Sequence, residues 1–396
     1  MIEPSQLYRT PNALAPHYSR FRVAETLRLT GHSHQSWPDC GFEGQQLAWL
    51  DAAEYADEKW DRAFAKADRV RDGFAKLLDD EDGHIALGQN THELIVRFLS
   101  ALPLRKRPRI VTTDGEFHTV RRQLDRLAEE TIEVEKVTAL PASTLAERLA
   151  HTVDDKTAAV IVSSVLFQNA HIVPGLGALL TKCQSTGTRL LVDAYHALNV
   201  VPFSLRNEQL GDAFVVGGGY KYCQLGEGNC FLRIPPCCKM RPVITGWFGE
   251  FGSMSETEAG KLVQYADGAD RFAGATYDPT SHYRASEVFD FFEREQLTPG
   301  FLRQVSQHQV GLLAQSFDDA DLDEAIISRD KSVDLSEVGG FLALRSPLAE
   351  SIRQHLGQGG VLADNRGDIL RLGPAPYLSD EQLCEAMDLL VSAARP

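Results

Sequence analysis

The sequence has no long apolar segment. Nowhere in its 396 residues does an apolar run approach the roughly 18 residues needed to span a bilayer, and the N-terminal segment lacks an apolar core of signal-peptide length. Basic residues are also outnumbered, because 40 Lys and Arg stand against 55 Asp and Glu, and the formal net charge of −15 would repel a phosphate backbone. We therefore expect a cytoplasmic protein that binds neither a membrane nor nucleic acid.

Cysteine is sparse, and its spacing fits neither a disulfide framework nor a metal site. The seven cysteines are odd in number and scattered along the chain. Cys237 and Cys238 are adjacent, which is too close for an ordinary disulfide, and they lack the second pair of ligands that a zinc site requires. We expect free thiols in a reducing compartment and no bound metal.

What the sequence does contain is an alternation of apolar strands and amphipathic helices. A composition of 43% hydrophobic and 24% charged residues is that of a folded soluble protein, so disorder is not expected. Continuous apolar runs at 110–113, 158–169, 190–192 and 213–216 are typical of strands buried on both faces. Helical segments lie between them, which predicts an α/β fold with an open, mainly parallel sheet and helices on both sides.

The length and the changes in pattern predict three parts. Residues 1–45 form an N-terminal arm and a polar active-site loop, residues 46–290 a large domain, and residues 291–396 a smaller α+β domain. Three prolines and weak periodicity near the N-terminus predict an extended arm that wraps a partner subunit. The loop after it contains His34 and Ser36, which either line a site or are solvated loop residues.

A helix start is predicted at Asn90 and Thr91, followed by Glu93 in the first turn. Ordinary N-capping would explain this pattern. An anion site would explain it too, because free backbone N–H groups and the helix dipole converge at such a helix end. The residues alone leave both interpretations open.

Two ionisable residues lie just beyond the carboxyl ends of predicted strands, which is where the binding sites of parallel sheets are found. Asp193 ends one apolar run, and Lys221 follows three glycines that would let the backbone approach a bulky ligand. A confined lysine with a lowered pKa can act as a nucleophile, and an aspartate can keep a pyridine nitrogen protonated, a pairing that marks pyridoxal 5′-phosphate (PLP) sites. The alternative is an aspartate that caps a turn and a lysine on the surface.

The segments VDAYHALNVVPF and GGGYKY around these residues resemble the kynureninases, PLP enzymes of the class V aminotransferase superfamily. That family has an Asp-x-Ala-His segment, which reads DAYH here, with the alanine displaced. The resemblance implies PLP fold type I, with a mainly parallel seven-stranded sheet and a small C-terminal α+β domain. It also implies that Lys221 binds PLP covalently and moves the substrate α-proton, that Asp193 stabilises the pyridinium with His196 beside it, and that Tyr220 contacts the phosphate.

Further motifs follow the family order along the chain. They comprise a Gly-Trp-Phe-Gly segment, an Asn-Thr pair at a helix start, a Phe-His-Thr segment in place of Phe-Pro-Thr, a strand serine, and a threonine that other class V enzymes extend to a neighbouring subunit. The resemblance implies that the corresponding residues bind the cofactor: Trp247, Asn90, Thr91, Phe117, which stacks on the pyridine ring, Ser163 and Thr276.

The C-terminal segment ILRLGPAPYLS resembles the family's Ile-Arg-x-Ala-Pro-x-Pro, which implies that Arg371 binds the substrate α-carboxylate. We expect His34 and Ser36 to contact the substrate as well. Two departures concern the part of the substrate beyond Cβ. Val120 replaces an acidic residue of the family, and RFAGATYDP stands where the family has an Asn-Pro that recognises the aromatic end of the substrate.

The resemblance implies a homodimeric hydrolase of tryptophan catabolism with shared active sites. It would cleave the Cβ–Cγ bond of L-kynurenine or 3-hydroxykynurenine to give anthranilate or 3-hydroxyanthranilate and L-alanine. Another class V reaction is the alternative: an aminotransferase, a cysteine desulfurase or a β-lyase. A desulfurase needs a mobile catalytic cysteine, whereas Cys223 and Cys230, the cysteines near the lysine, are expected to be held by the following strand. A catalytically silent cofactor-binding protein is a further alternative.

Overall fold

The computed structural model describes residues 2–80, 83–236, 238–251 and 262–395. Cys237 of the adjacent cysteine pair lies outside these residues, and Cys238 is half-buried with a free thiol. The helices are α1 (Pro4–Leu7), α2 (Cys40–Tyr55), α3 (Lys59–Leu77), α4 (Thr91–Ser100), α5 (His118–Ala128), α6 (Leu145–Thr152), α7 (Leu176–Thr186), α8 (Thr280–Arg294), α9 (Pro299–Asp319), α10 (Ala349–Gln358) and α11 (Asp380–Ala394). The strands are β1 (Leu27–Arg28), β2 (His84–Gly88), β3 (Arg109–Thr113), β4 (Glu133–Val137), β5 (Thr157–Ser163), β6 (Arg189–Asp193), β7 (Phe214–Gly218), β8 (Cys230–Ile234), β9 (Ser328–Arg329), β10 (Leu342–Arg345), β11 (Val361–Leu362), β12 (Asp364–Arg366) and β13 (Ile369–Leu372).

The large sheet has seven strands in the order β2-β8-β7-β6-β5-β3-β4. The pairs from β4 to β7 are all parallel, and β8 runs antiparallel between β7 and β2. This confirms the predicted mainly parallel sheet. The strands β5 and β6 end side by side, because Ser163 lies opposite Asp193 in the register.

Helices cover both faces of this sheet, as predicted. Side chains of a strand point alternately to its two faces. Val160, Val162 and Val192 therefore pack into one apolar cluster, with residues of α3, α7 and α8. Ile161 and Leu191 pack into another, with residues of α4 and α5. Each such side chain contributes about 1.5–3 kcal/mol by its burial, so the central strands are fixed firmly and their carboxyl ends form a rigid floor.

The prediction of an extended N-terminal arm is wrong. Residues Pro4–Leu7 are helical and Ala15–Phe21 form a 3-10 helix. The first positions of a helix accept proline, and apolar residues between the prolines pack into the hydrophobic core. Tyr18 is fully buried. Its hydroxyl donates to Gln224 Oε1 at 2.6 Å, and its ring packs on that of Tyr377 with centroids 4.6 Å apart.

A second, antiparallel sheet has the order β12-β13-β10-β9. The N-terminal part of the chain joins this region, because β1 pairs in parallel with β11 and Thr30 bridges to Gly373. The loop that follows β1 is thus held next to β13, the strand that carries Arg371.

No helix within residues 2–80, 83–236, 238–251 and 262–395 is both long and apolar enough to cross a bilayer. The same residues contain no group of three or more His, Cys, Asp and Glu side chains that could hold a metal ion.

Candidate active site

A cavity of about 240 Å³ lies beyond the carboxyl ends of β5, β6 and β7. The structure brings many of the predicted site residues together in its wall, namely Asn90, Thr91, Phe117, Ser163, Asp193, His196, Tyr220 and Lys221. These side chains come from strand ends and helix starts that are far apart in the sequence. The topology of the sheet therefore creates the site.

Lys221 is buried in this cavity, with 5% of its surface exposed. Its Nζ lies 2.7 Å from His196 Nε2 and 4.6 Å from the centre of the Tyr195 ring. Burial lowers the pKa of Lys221 to about 7; Asp193 opposes this shift, and Arg371 adds to it. A large fraction of the amine is therefore unprotonated near neutral pH, which is the form that can attack a carbonyl.

His196 is the hydrogen-bonding partner of this lysine, and Asp193 is a buried carboxylate whose charge acts on it. The Asp193 carboxylate accepts a hydrogen bond from the Tyr195 N–H at 2.9 Å, and burial raises the pKa of Asp193 against the effects of that bond and of Lys221. Burial and then Lys221 hold the pKa of His196 well below its usual value. The imidazole is thus neutral, and its buried Nδ1 has no hydrogen-bond partner among the described residues.

The helix start predicted at Asn90 and Thr91 is confirmed. Helix α4 begins at Thr91, and the Asn90 side chain caps it by accepting from the Glu93 N–H at 3.0 Å. The capping interpretation therefore holds for Asn90. Both residues also line the cavity, so the start of the helix faces the space where an anion would benefit from the dipole.

Aromatic rings surround the lysine amine. Phe117, in an extended conformation at the start of α5, has its ring centre 5.4 Å from Lys221 Nζ and packs edge-on against Phe167. The Tyr195 and Tyr220 rings meet edge-to-face, with centroids 5.3 Å apart. The amine therefore sits between flat apolar surfaces that could enclose a planar ligand.

Arg371 lies outside the lining of this cavity and is nearly completely buried. Its Nε and Nη2 donate to the two carboxylate oxygens of Asp364 at 2.9 and 2.5 Å, and Nη1 donates to the Phe167 carbonyl at 2.7 Å. His32 Nε2 lies 2.8 Å from Asp364 Oδ1. Asp364 thus fixes the guanidinium in one orientation.

Four other predicted site residues are not among the residues that line this cavity. Trp247 is half-exposed, and Thr276 lines a separate cavity of about 960 Å³. His34 is half-exposed and lies beside the cavity wall, because its Nδ1 is 3.6 Å from Glu227 Oε1 and its ring centroid is 6.2 Å from that of Tyr220, and both neighbours line the cavity. Ser36 is buried, and its N–H donates to the Tyr377 hydroxyl at 2.8 Å. The resemblance implies that Trp247 and Thr276 bind the cofactor, Thr276 from a neighbouring subunit, and that stays a prediction.

Sequence reasoning missed Glu116 and Tyr195. Tyr195 stands in the DAYH segment at the position where the family has alanine, and that replacement is the signal that could have indicated it. Glu116 precedes Phe117 directly, yet no pattern indicates that its carboxylate reaches Ser163 on another strand, where Ser163 Oγ donates to it at 2.6 Å.

Comparisons with known proteins agree with this architecture. No family model matches the chain. It is 22% identical over 347 residues to an uncharacterised aminotransferase, YcbU of Bacillus subtilis (strain 168), across 86% of this chain and 87% of that protein. Among solved structures, a C-DES mutant with glycine covalently linked to the PLP cofactor superposes with a TM-score of 0.81 at 16% identity, covering 95% of this chain and 98% of that one. The cysteine desulfurase CsdA of Escherichia coli gives a TM-score of 0.75 at 17% identity, covering 99% and 98%. The chain therefore has the α/β architecture of PLP-dependent fold type I.

Proposed function

We propose that this protein is a PLP-dependent enzyme that acts on an L-amino acid. The observation that carries the proposal is the buried Lys221 amine, with its lowered pKa, next to Asp193 and His196. The residues present fit the cofactor: an amine for its aldehyde, a carboxylate for its ring nitrogen, a flat ring at Phe117 and a helix start at Thr91 for its phosphate. The unpartnered Nδ1 of His196 offers a further polar contact.

Each residue has a definite task in this proposal. PLP, when bound, supplies a ring that withdraws electrons from the substrate Cα. Lys221 holds the cofactor, takes the α-proton as a base and returns a proton as an acid, and the neutral His196 ring orients its amine. Arg371, held by Asp364, offers its remaining N–H groups to the substrate carboxylate.

The reaction we propose first is hydrolysis of the Cβ–Cγ bond of L-kynurenine or 3-hydroxykynurenine. The motif resemblance supports it, and so do the walls of the cavity, which Ile95, Val120, Val165 and Phe167 make apolar enough for an aromatic side chain. Addition of water to the side-chain carbonyl would release anthranilate, and protonation of Cβ would give L-alanine. A cytoplasmic homodimer with Trp247 and Thr276 at its shared sites is part of the same proposal.

A β-lyase acting on a sulfur-containing amino acid is the second candidate. One structure with the same fold is the cystine C–S lyase C-DES in complex with cysteine persulfide, at 16% identity and a TM-score of 0.79. A desulfurase fits less well. Cys223 and Cys230, the cysteines near the lysine, are both buried, and burial raises the pKa of Cys230 to about 12, so its reactive thiolate form is suppressed.

The test is a set of product assays on the purified protein loaded with PLP. Kynurenine, 3-hydroxykynurenine and cystine are supplied separately, and anthranilates, alanine, pyruvate and sulfur products are measured. Release of an anthranilate with an equal amount of alanine supports the hydrolase, whereas pyruvate from cystine with no anthranilate selects the lyase.

The matched control is Lys221→Ala, which removes the amine and should abolish either activity. Borohydride should attach the cofactor to Lys221 in the unmodified protein only. A protein that neither binds PLP nor is labelled at Lys221 would refute the cofactor and the enzyme together.

A further inference from the structure

A buried carboxyl group lies behind the wall of the cavity. Glu116 is 2% exposed and sits on the turn between β3 and α5. Its Oε1 accepts from Thr113 Oγ1 at 2.7 Å and from the Ser163 N–H at 3.2 Å, and its Oε2 accepts from Ser163 Oγ at 2.6 Å. The carboxyl group therefore joins the ends of two neighbouring strands, and Ser163 is its contact with the cavity.

The charge of Glu116 decides what Ser163 can offer to a ligand. An ionised carboxylate only accepts, so the single hydroxyl proton of Ser163 points to Oε2 and the cavity faces only a lone pair. In the protonated acid Oε1 is occupied by two donors, so the acid proton lies on Oε2 and is donated to Ser163 Oγ. The hydroxyl proton of Ser163 is then free to point into the cavity.

We propose that Glu116 is a positioning residue that acts through Ser163: its protonation reverses the direction of the Ser163 hydrogen bond and changes that hydroxyl from an acceptor to a donor toward bound cofactor. The part that concerns the cofactor rests on the proposed function. The link between Glu116 and Ser163 stands on the distances alone.

The surroundings allow this change near neutral pH. Burial raises the pKa of Glu116 to about 7, Ser163 and Thr113 oppose the shift as donors, and Asp193 adds to it. Asp193, at the end of β6, is the charged group that acts on Glu116 from a neighbouring strand, and Lys221 is the cation next to that aspartate. On the turn that carries Glu116, Asp114 is engaged elsewhere, because Oδ1 accepts from the Ala139 N–H at 2.8 Å.

The first experiment uses the protein without cofactor. Infrared difference spectra across about pH 5.5 to 8.5 should contain a protonated-carboxyl band that titrates near 7 and is lost in Glu116→Gln. Ser163→Ala and Thr113→Val each remove one donor to the carboxylate, so each should move this titration upward by about one unit. A band that does not respond to Ser163→Ala would overturn the proposed link. This result does not depend on whether Glu116→Gln folds, because both donor variants retain Glu116.

The second experiment follows the visible absorbance of bound PLP over the same pH range. The unmodified protein should show a spectral step at the pH where Glu116 titrates. Thr113→Val is the matched control: it removes a donor that does not face the cavity, so the step should persist and move with the infrared titration.

Ser163→Ala should abolish the absorbance step while Glu116 still titrates in the infrared. A step that survives in Ser163→Ala, or one that stays in place in Thr113→Val, would overturn the inference. Failure to bind PLP at all would refute the proposed function instead, and the infrared series would still decide the link between Glu116 and Ser163.

Discussion

Replacement of Asp364 by asparagine should destabilise the protein far more than an ordinary surface charge change. The Asp364 carboxylate accepts two hydrogen bonds from the Arg371 guanidinium and lies 2.8 Å from His32 Nε2. Arg371 is 2% exposed, so Asp364→Asn would leave a positive charge in the interior without its counterion. Breaking a buried pair in this way costs about 3–5 kcal/mol. Because the Asp364 side chain is 20% exposed, the lower end, about 3 kcal/mol, is expected.

The sequence offers a matched control for this change on a neighbouring turn. Asp368 pairs with Arg345, and both side chains are largely exposed. Asp368→Asn should therefore lower the free energy of unfolding by no more than about 1 kcal/mol. Denaturant unfolding of both variants at neutral pH makes the comparison. Equal losses for the two variants would refute the view that Asp364 neutralises a buried arginine.

The same variant should also separate substrate binding from chemistry. If Arg371 binds the substrate carboxylate, Asp364→Asn lets the guanidinium leave its fixed orientation, and KM for the amino acid should rise more than kcat falls. Although burial opposes it, His32 and Arg371 hold the pKa of Asp364 well below its usual value. This contribution to stability is therefore present at neutral pH and should be lost only in strong acid, which acid unfolding curves of the two proteins can check.

Three further outcomes are expected. Gly218→Ala would place a methyl group 2.5 Å from the Tyr195 hydroxyl and should lower the free energy of unfolding by about 1–3 kcal/mol, measured by thermal unfolding. In Gly211→Ala the added methyl group meets nothing within 4 Å, so this free energy should stay within about 0.5 kcal/mol of that of the original protein. Burial lowers the pKa of Lys221 from 10.5 to about 7 in the folded protein. Between these two pH values the unfolded state binds one more proton than the folded state, so the free energy of unfolding should rise with pH. Lys221→Met should flatten this rise, which denaturant unfolding at several pH values can measure. Asn90→Ala removes the cap of α4 and should cost about 1 kcal/mol of stability; in equilibrium dialysis it should also weaken PLP retention, and unchanged retention would argue against a phosphate at this helix start.

The bounds of a strand were predictable from the sequence where the buried apolar run is about as long as the hydrogen-bonded strand. The run at 190–192 lies within β6, which extends it by one residue at each end. The run at 158–169 was too long: β5 ends at Ser163, although Val165, Leu166 and Phe167 are also buried. An apolar run indicates which residues are buried. The residue at which β5 ends is set by its hydrogen-bonded pairing with β6.

The N-terminal segment shows a second limit of local patterns. Its prolines favour an extended chain locally, but the burial of Leu7, Leu14 and Tyr18 against other parts of the chain decides its conformation. No local pattern contains that contribution, since it depends on residues far along the chain, as Gln224 is from Tyr18.

Site residues were predictable where a motif carries them and not where only proximity does. Lys221, Asp193 and the helix start at Thr91 belong to recognisable segments, and the structure brings them to one cavity. The contact between Glu116 and Ser163 joins a turn to a strand 47 residues later. Such contacts arise when strands that are distant in sequence become neighbours in the sheet, so a sequence read in order does not display them.

The pairing of β1 with β11 has a consequence for synthesis on the ribosome. The strands of the large sheet are complete at Ile234, so the floor that carries Asp193 and Lys221 can form while the rest of the chain is still being made. The loop after β1 must wait, because β1 pairs with β11 at Val361 and Thr30 bridges to Gly373, and both of these partners emerge long after Ile234. A nascent chain stalled before Val361 would therefore have the lysine but neither Arg371 nor the docked His32, so any site that includes Arg371 can be completed only after the sheet that carries the lysine.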